Sequence, residues 1–225
     1  MLSSLLRFNQ EQHYLVRVLS KYSRNARVLD LGCGTGRNLE LLRDMGFKNI
    51  VGADINPDMI SLATSKGFEC DHAASLSFEA GQWDIIIMSH LIEHFQYEPL
   101  QKFIESHANT LLVGGRLIIS TPLLTQAFYN DFDHIKPYNP IGLKMMFGSQ
   151  VEQIQVQSNL HLELKDLYFY KLPCRLQWFT TFYLPGQQRW PHWINSIGRI
   201  MYCLSRGIVG VKSGWIGSFE LVKRV

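Results

Sequence analysis

The fold of this chain is decided by residues 28–36, which read VLDLGCGTG. An apolar run that carries one carboxylate, Asp30, breaks into a turn with three glycines, and a helical pattern begins at Arg37. Glycines have no Cβ, so they let the backbone turn tightly and come close to a ligand. The stretch therefore predicts a strand, a ligand-binding turn and a helix.

The glycine spacing indicates which kind of ligand the turn binds. A dinucleotide-binding turn reads G-x-G-x-x-G, and its third glycine opens the helix. In this chain that position is Arg37, and the third glycine comes one residue earlier as Gly36. A carboxylate such as Asp30 would also repel a pyrophosphate, whereas it would attract a sulfonium or an amino group. The pattern favours a cationic ligand over a nicotinamide dinucleotide.

The rest of the chain alternates apolar runs with helical patterns, which is typical of a parallel sheet with helices on both faces. We expect a single domain over 1–225, with an amphipathic helical cap in 1–25 and no signal-peptide pattern. Strands are predicted near 27–31, 49–54, 68–71, 84–89, 116–121, 150–157 and 216–223. Helices are predicted near 37–45, 57–65, 98–112 and 140–147.

A second acidic residue, Asp54, ends the second predicted strand. A carboxylate there can accept two hydrogen bonds from a ribose diol. The alternative is that Asp54 caps the helix that begins at Pro57, but this leaves its distance from the glycine turn unexplained. We favour the ribose.

Together with the segment WDIIIMSHLIEHF at 83–95, these features resemble the class I S-adenosylmethionine-dependent methyltransferases, in the Glu-His version found in ubiquinone-pathway O-methyltransferases. The resemblance implies a Rossmann-like α/β fold with a mostly parallel seven-stranded sheet and an antiparallel last strand. It implies S-adenosyl-L-methionine as the cofactor, with Ile55 packed on the adenine and Asp71 or His72 beside its amine. The predicted cofactor-binding residues are Asp30, Gly32, Cys33, Gly34, Gly36, Asp54, Ile55, Asp71, His72 and Ser89.

The predicted catalytic residues are Glu93, His94 and His134. His94 could remove the acceptor's proton, because the pKa of histidine lies near neutral pH, and Glu93 could orient it. On a helix, His90, Glu93 and His94 would share one face, and with His134 they would form a divalent-metal site. The set also resembles the metal-dependent methyltransferases of small-RNA terminal ribose, except that His90 replaces their first Glu. The alternative is that these histidines hydrogen-bond to nearby backbone and cap loops.

We expect methyl transfer to a hydroxyl oxygen of a small molecule, glycan or lipid precursor. The chain has no Asn-Pro-Pro-Tyr segment of the kind that holds planar amino groups in N-methyltransferases, so an oxygen acceptor is favoured by analogy. Two alternatives stay open. One is a metal-dependent RNA ribose 2'-O-methyltransferase, although nucleic acid is the less favoured partner, and the other is a non-catalytic module that binds S-adenosylmethionine.

Charge separates the two ends of the chain. Residues 1–159 carry 13 Lys/Arg and 16 Asp/Glu, whereas residues 160–225 carry 9 and 3. Four of the five tryptophans also lie in this basic end, which predicts an aromatic insertion or lid over 160–214 that contacts an anionic membrane surface or covers the substrate. The alternative is an aromatic subdomain with its own core. Four cysteines without framework spacing favour a cytoplasmic protein, with the membrane face as its candidate location.

Overall fold

A computed structural model of the chain describes residues 8–149, 157–174 and 190–223. These residues form a sheet of seven strands in the order β3-β2-β1-β4-β5-β7-β6. Strands β1 to β5 pair in parallel, and β7 runs antiparallel to both of its neighbours, β5 and β6. The predicted sheet with an antiparallel last strand is confirmed. The strands are β1 Arg27–Leu31, β2 Asn49–Asp54, β3 Cys70–His72, β4 Trp83–Ser89, β5 Leu111–Pro122, β6 His161–Leu172 and β7 Val211–Lys223.

Helices cover both faces of this sheet, and local capping sets where two of them begin. The Asn56 side chain accepts a hydrogen bond from the backbone N–H of Asp58, and Asn139 accepts one from Gly142, in each case with proline at the first helical position. The helices are α1 Gln10–Leu19, α2 Arg37–Asp44, α3 Pro57–Ser65, α4 Tyr97–Ala108, α5 Pro140–Phe147 and α6 Trp190–Leu204.

The core lies on the two faces of the central strands. Successive side chains of a strand point to opposite faces, so Ile86 and Met88 pack toward α4 and α5, while Ile85 and Ile87 pack toward α1. From the helix inside the predicted cap 1–25, Leu15, Val18 and Leu19 are buried in that second cluster. Because the central strands are packed on both faces of the sheet, their carboxyl ends are held in fixed positions. The residues of the candidate site follow these strand ends.

The range 160–214, predicted as an aromatic insertion or lid, overlaps two strands of the sheet at its ends. Residues 161–172 form β6 along β7, and β7 itself begins at Val211. The edge strand β6 alternates partly buried residues with exposed charges such as Glu163 and Lys165, so its apolar pattern is weak, as is common where sheet edges face solvent. Most of the strand predicted at 150–157 lies outside the described residues.

Candidate active site

The glycine turn follows β1 at the carboxyl end of the sheet, beside the ends of β2 and β4. Gly32, Gly34 and Gly36 have φ angles of 77°, 51° and 87°, in the left-handed region where other residues are strained. A Cβ on Gly32 would also lie 3.1 Å from the Leu91 side chain. The backbone of this turn therefore requires glycine, as its sequence predicts.

Asp54 at the end of β2 faces the glycine turn. Its Oδ2 accepts a hydrogen bond of 2.8 Å from the backbone N–H of Gly34, and its Oδ1 accepts one of 2.9 Å from Asn56. Each carboxylate oxygen can accept a second bond, so the group is held in place and can still bind a diol. The neighbouring Ile55 is 75% exposed, which leaves an apolar surface for a flat ring.

Asp30 is a fully buried carboxyl group at the glycine turn. Its Oδ1 accepts a hydrogen bond of 3.2 Å from the amide of Asn38, and Oδ2 has no hydrogen-bond partner among the described residues. Burial raises the pKa of Asp30 to about 7. A buried carboxylate with a vacant lone pair is a site for a cation, because a cation would compensate its lost hydration.

The remaining predicted cofactor residues differ in their positions. The Cys33 side chain is buried with Leu39 and Phe68, and burial raises the pKa of its thiol well above the usual range. Cys33 could therefore contact a cofactor only through its backbone. His72 accepts a hydrogen bond at Nδ1 from Ala74, while Asp71 beside it is exposed. Ser89 ends β4 with a buried hydroxyl that has no partner among the described residues. The contacts of Asp71, His72 and Ser89 with a cofactor stay predictions.

The segment after β4 does not form the predicted helix. His90 has a φ of 53°, and only Ile92–His94 makes a short 3-10 turn, so His90, Glu93 and His94 do not share a helical face. The His90 Nε2 lies 2.9 Å from Glu11 Oε1 on α1, and its Nδ1 lies 3.3 Å from Glu93 Oε1. Both ring nitrogens therefore face carboxylates, and His90 is not part of the group of candidate metal ligands that the described residues bring together, so its role as a metal ligand stays a prediction.

Glu11 and His90 form an ion pair in which the Glu11 side chain is 10% exposed and the His90 side chain is 38% exposed. Burial is the largest single influence and opposes both charges, but the hydrogen bonds and opposite charges around the pair together outweigh it. The pKa of His90 is raised to about 10, with Glu93 contributing, and that of Glu11 is lowered to about 2, with Ser120 and Arg37 contributing. Ser120 donates a further hydrogen bond of 2.7 Å to Glu11. Sequence reasoning missed Glu11, although its position four residues before Leu15 places an acid in the apolar stripe of α1.

Three predicted catalytic residues do come together. One potential ligand atom from each of Glu93, His94 and His134 lies within 4.8 Å of the others. Glu93 is completely buried, and Thr121 donates a hydrogen bond of 2.8 Å to its Oε2. The Nε2 of His134 lies 4.0 Å from Glu93 Oε1. A carboxylate and two imidazoles thus converge beyond the ends of β4 and β5, and Glu93, His94 and His134 are called the catalytic group below.

The backbone fixes the proton positions of both imidazoles. His94 Nδ1 lies 3.1 Å from the carbonyl of Asp133, and His134 Nδ1 lies 2.8 Å from the carbonyl of Phe128. A carbonyl only accepts, so each Nδ1 carries a hydrogen, and the neutral form of each ring has its lone pair on Nε2. This is the arrangement of histidines that accept a proton or ligate a metal through Nε2.

A cavity of about 300 Å³ lies between α4 and α5, next to this group. The backbone N–H groups of Ile135 and Lys136 donate to the Glu93 carbonyl at 2.8 and 3.2 Å, so one segment supports both the catalytic group and the cavity wall. The Lys136 ammonium lies over the rings of Tyr97 and Tyr138. Much of the lining is apolar, including Leu100, Ile104, Leu143, Met146 and Phe147. The cavity suits a molecule with an apolar body.

The sheet order, the glycine turn and the two aspartates define a class I methyltransferase with a Rossmann-like fold. The chain belongs to the methyltransferase-domain family, whose model matches residues 6–163. A crystal structure of an S-adenosylmethionine-dependent methyltransferase from Archaeoglobus fulgidus is similar to it, with 25% identity and a TM-score of 0.59 over 96% of both chains.

Two curated relatives are similar over parts of their length. A carboxy-S-adenosyl-L-methionine synthase of Trichodesmium erythraeum is 29% identical over 111 residues, which cover 44% of this chain and 43% of that protein. A ubiquinone biosynthesis O-methyltransferase of Xylella fastidiosa is 30% identical over 105 residues, which cover 43% of this chain and 42% of that protein. The chain thus spans less than half the length of both relatives.

S-adenosylmethionine is the cofactor of this class, and the residues at the sheet edge fit it. The vacant, buried Oδ2 of Asp30 suits its cationic end, and the fixed carboxylate of Asp54 suits its ribose. Exposed Ile55 offers a surface for the adenine. The glycine turn between the two aspartates leaves room for the cofactor against the backbone.

Proposed function

We propose that this protein transfers a methyl group to a hydroxyl oxygen of a small molecule, a glycan or a lipid precursor. The observation that supports an oxygen acceptor is that His94 and His134, whose Nδ1 atoms face backbone carbonyls, come together with the buried carboxylate of Glu93. A hydroxyl is a weak nucleophile until its proton is removed, so a positioned base is the group that such a reaction needs. The apolar cavity beside it favours an acceptor with an apolar portion.

In this proposal the bound cofactor supplies an activated methyl group on its sulfonium. Asp30, held by Asn38, would bind the cofactor's cationic end, and Asp54 would bind its ribose. The acceptor hydroxyl would lose its proton to Nε2 of His94 or His134 while its oxygen bonds to the methyl carbon, and the sulfur–methyl bond would break with its electron pair left on sulfur in S-adenosylhomocysteine. Glu93, fixed by Thr121, stabilises the resulting imidazolium.

A divalent metal is the second use of the same three residues, and one carboxylate and two imidazoles are a suitable set of ligands for it. A metal there would lower the pKa of a bound hydroxyl. Without His90 the set is smaller than the one predicted, which weakens the likeness to the enzymes of small-RNA ribose. We therefore keep RNA as a less favoured acceptor.

The test is methyl transfer from labelled S-adenosylmethionine to a panel of hydroxyl acceptors, with calorimetry of S-adenosylhomocysteine in parallel. His134→Ala should bind the nucleoside normally and lose about 10²- to 10⁴-fold in kcat, as expected for a lost general base. His161→Ala, at the far end of β6, is the control and should keep full activity. Unchanged turnover in His134→Ala would contradict the assignment, and binding without transfer to any acceptor would support a non-catalytic module.

Metal dependence separates the two uses of the catalytic group. If the group acts as a base alone, dialysis against a chelator should leave turnover unchanged. If it holds a metal, the chelator should abolish turnover, added divalent cation should restore it, and elemental analysis should find no metal in His134→Ala.

A further inference from the structure

The helix α6 presents an apolar stripe to solvent. Its exposed apolar residues follow each other at intervals of three, one, three, three, one and three positions, which places them on one helical face. Their exposed fractions range from 42% to 70%. The stripe consists of Trp190, Trp193, Ile194, Ile197, Ile200, Met201 and Leu204.

The opposite side of α6 is the side that packs on the protein. Tyr202 and Cys203 are buried, and the Tyr202 hydroxyl donates to the carbonyl of Lys171 at 2.8 Å while it accepts from the backbone N–H of Gln10 at 3.1 Å. These contacts anchor the helix to β6 and α1. The orientation that exposes the stripe is therefore fixed by buried contacts.

The segment after α6 extends the apolar surface and adds positive charge. Ile208, Val209 and Val211 are 76%, 46% and 49% exposed. The sequence has no Asp or Glu between Asp166 and Glu220, and it has six Lys or Arg there, of which Arg206 and Lys212 are exposed beside the patch. Large exposed apolar patches mark interaction sites, and the basic surroundings select a partner with negative charge.

The exposed apolar surface of α6 lies at the same end of the sheet as the active site, beyond the carboxyl ends of the parallel strands. Leu172, the last residue of β6, pairs with Val211, and Pro122, the last residue of β5, pairs with Gly214. The connection through α6 therefore emerges beyond the carboxyl ends of the strands. On α1, Gln10 contacts Lys171 and Tyr202, while the next residue, Glu11, contacts His90 of the site.

We propose that α6 and residues 208–211, together the α6 patch, dock on the surface of an anionic lipid bilayer. Trp190 and Trp193 suit the boundary between headgroups and acyl chains, where an apolar helical face can be buried and basic residues meet anionic lipid. A second copy of the chain would bring like charges together, which disfavours self-association through the same patch. If the protein is the O-methyltransferase proposed above, this docking would favour an acceptor whose hydroxyl group belongs to a lipid-linked molecule.

The test is sedimentation of the full chain with vesicles of phosphatidylcholine alone or mixed with phosphatidylglycerol. Binding should occur with the anionic vesicles and weaken with added salt. Ile197→Glu should weaken it at least about tenfold, and Arg206→Gln by about fivefold. Val113→Glu, at an equally exposed apolar position near the start of β5, is the control and should bind as the wild type does.

Absence of binding to anionic vesicles, or equal binding to both kinds, would overturn the proposal. Concentration-dependent self-association that Ile197→Glu abolishes, without vesicle binding, would overturn it in favour of a dimer. Calorimetry with S-adenosylhomocysteine and transfer to a water-soluble acceptor should be the same in Ile197→Glu and wild type. Vesicle binding without methyl transfer would reject the proposed function alone, and transfer without vesicle binding would reject the docking alone.

Discussion

Replacing Glu11 with glutamine should destabilise the folded protein by about 3 kcal/mol at mildly acidic pH. Folding lowers the pKa of Glu11 from 4.5 to about 2, and each pKa unit corresponds to about 1.4 kcal/mol. Only 10% of the Glu11 side chain is exposed but 38% of His90 is, so solvent screens the pair in part and about 3 kcal/mol is the upper end of the expected loss. Glutamine keeps the shape of the side chain and can still accept the Ser120 hydrogen bond, so the loss measures the carboxylate's charge.

The pH dependence of this loss follows from the signs of the two pKa shifts. Glu11 has a lowered pKa, so its contribution is present above about pH 4.5 and disappears as the pH falls toward 2. His90 has a raised pKa, so its contribution is present below about pH 6.5 and disappears as the pH rises through 10. Arg37 and Glu93 are the other charged groups that face the pair. The destabilisation should therefore be largest between about pH 4.5 and 6.5 and smaller on either side.

Urea unfolding followed by tryptophan fluorescence at about pH 3, 5.5 and 9 measures this profile. The control is Glu40→Gln, because Glu40 pairs with Lys66 at 3.0 Å with both side chains about 40% exposed. Such a surface pair contributes about 0.5 kcal/mol or less. A loss in Glu11→Gln that is the same at all three pH values, or no larger than the control's, would refute the reasoning.

Three further changes test the cofactor site and the anchor of α6. Asp54→Ala removes the acceptor for the ribose diol and should weaken S-adenosylhomocysteine binding by about 50-fold in calorimetry, with the fold retained in circular dichroism. Gly34→Ala places a Cβ at a φ of 51°, which should cost about 1–2 kcal/mol of unfolding free energy in urea titration. Tyr202→Phe removes the hydroxyl that joins α6, β6 and α1, and should cost about 1–2 kcal/mol while Phe169→Leu, on the exposed side of β6, costs less.

The sequence predicts the central strands and two helices well because their signals are local. The apolar run ending at Leu31 and the Asn-Pro caps at 56 and 139 each act within a few neighbouring residues. The edge strand β6 was missed because its residues are only half buried and are interrupted by charges. Its position depends on pairing with β7, which follows 39 residues later in the chain.

For the site, residue types were better predicted than geometry. Glu93, His94 and His134 converge as the sequence suggests, but His90 adopts a positive φ, which is uncommon for any residue other than glycine. The result is that His90 lies between Glu11 and Glu93 and does not share a helical face with Glu93 and His94. Asn38 and Thr121, which hold Asp30 and Glu93, were missed because each acts only through a contact that the fold creates.

The buried Asp30 makes cofactor binding depend on protons. Its pKa of about 7 means that most molecules carry a proton there at pH 6, and a cation placed beside it favours the ionised form. Binding of S-adenosylhomocysteine should therefore release close to one proton at about pH 6 and almost none at about pH 8.5. Calorimetry in two buffers of different ionisation enthalpy measures this number. Asp30→Asn should abolish the release, and a release that persists in this variant, or that does not change with pH, would show that the cation lies elsewhere.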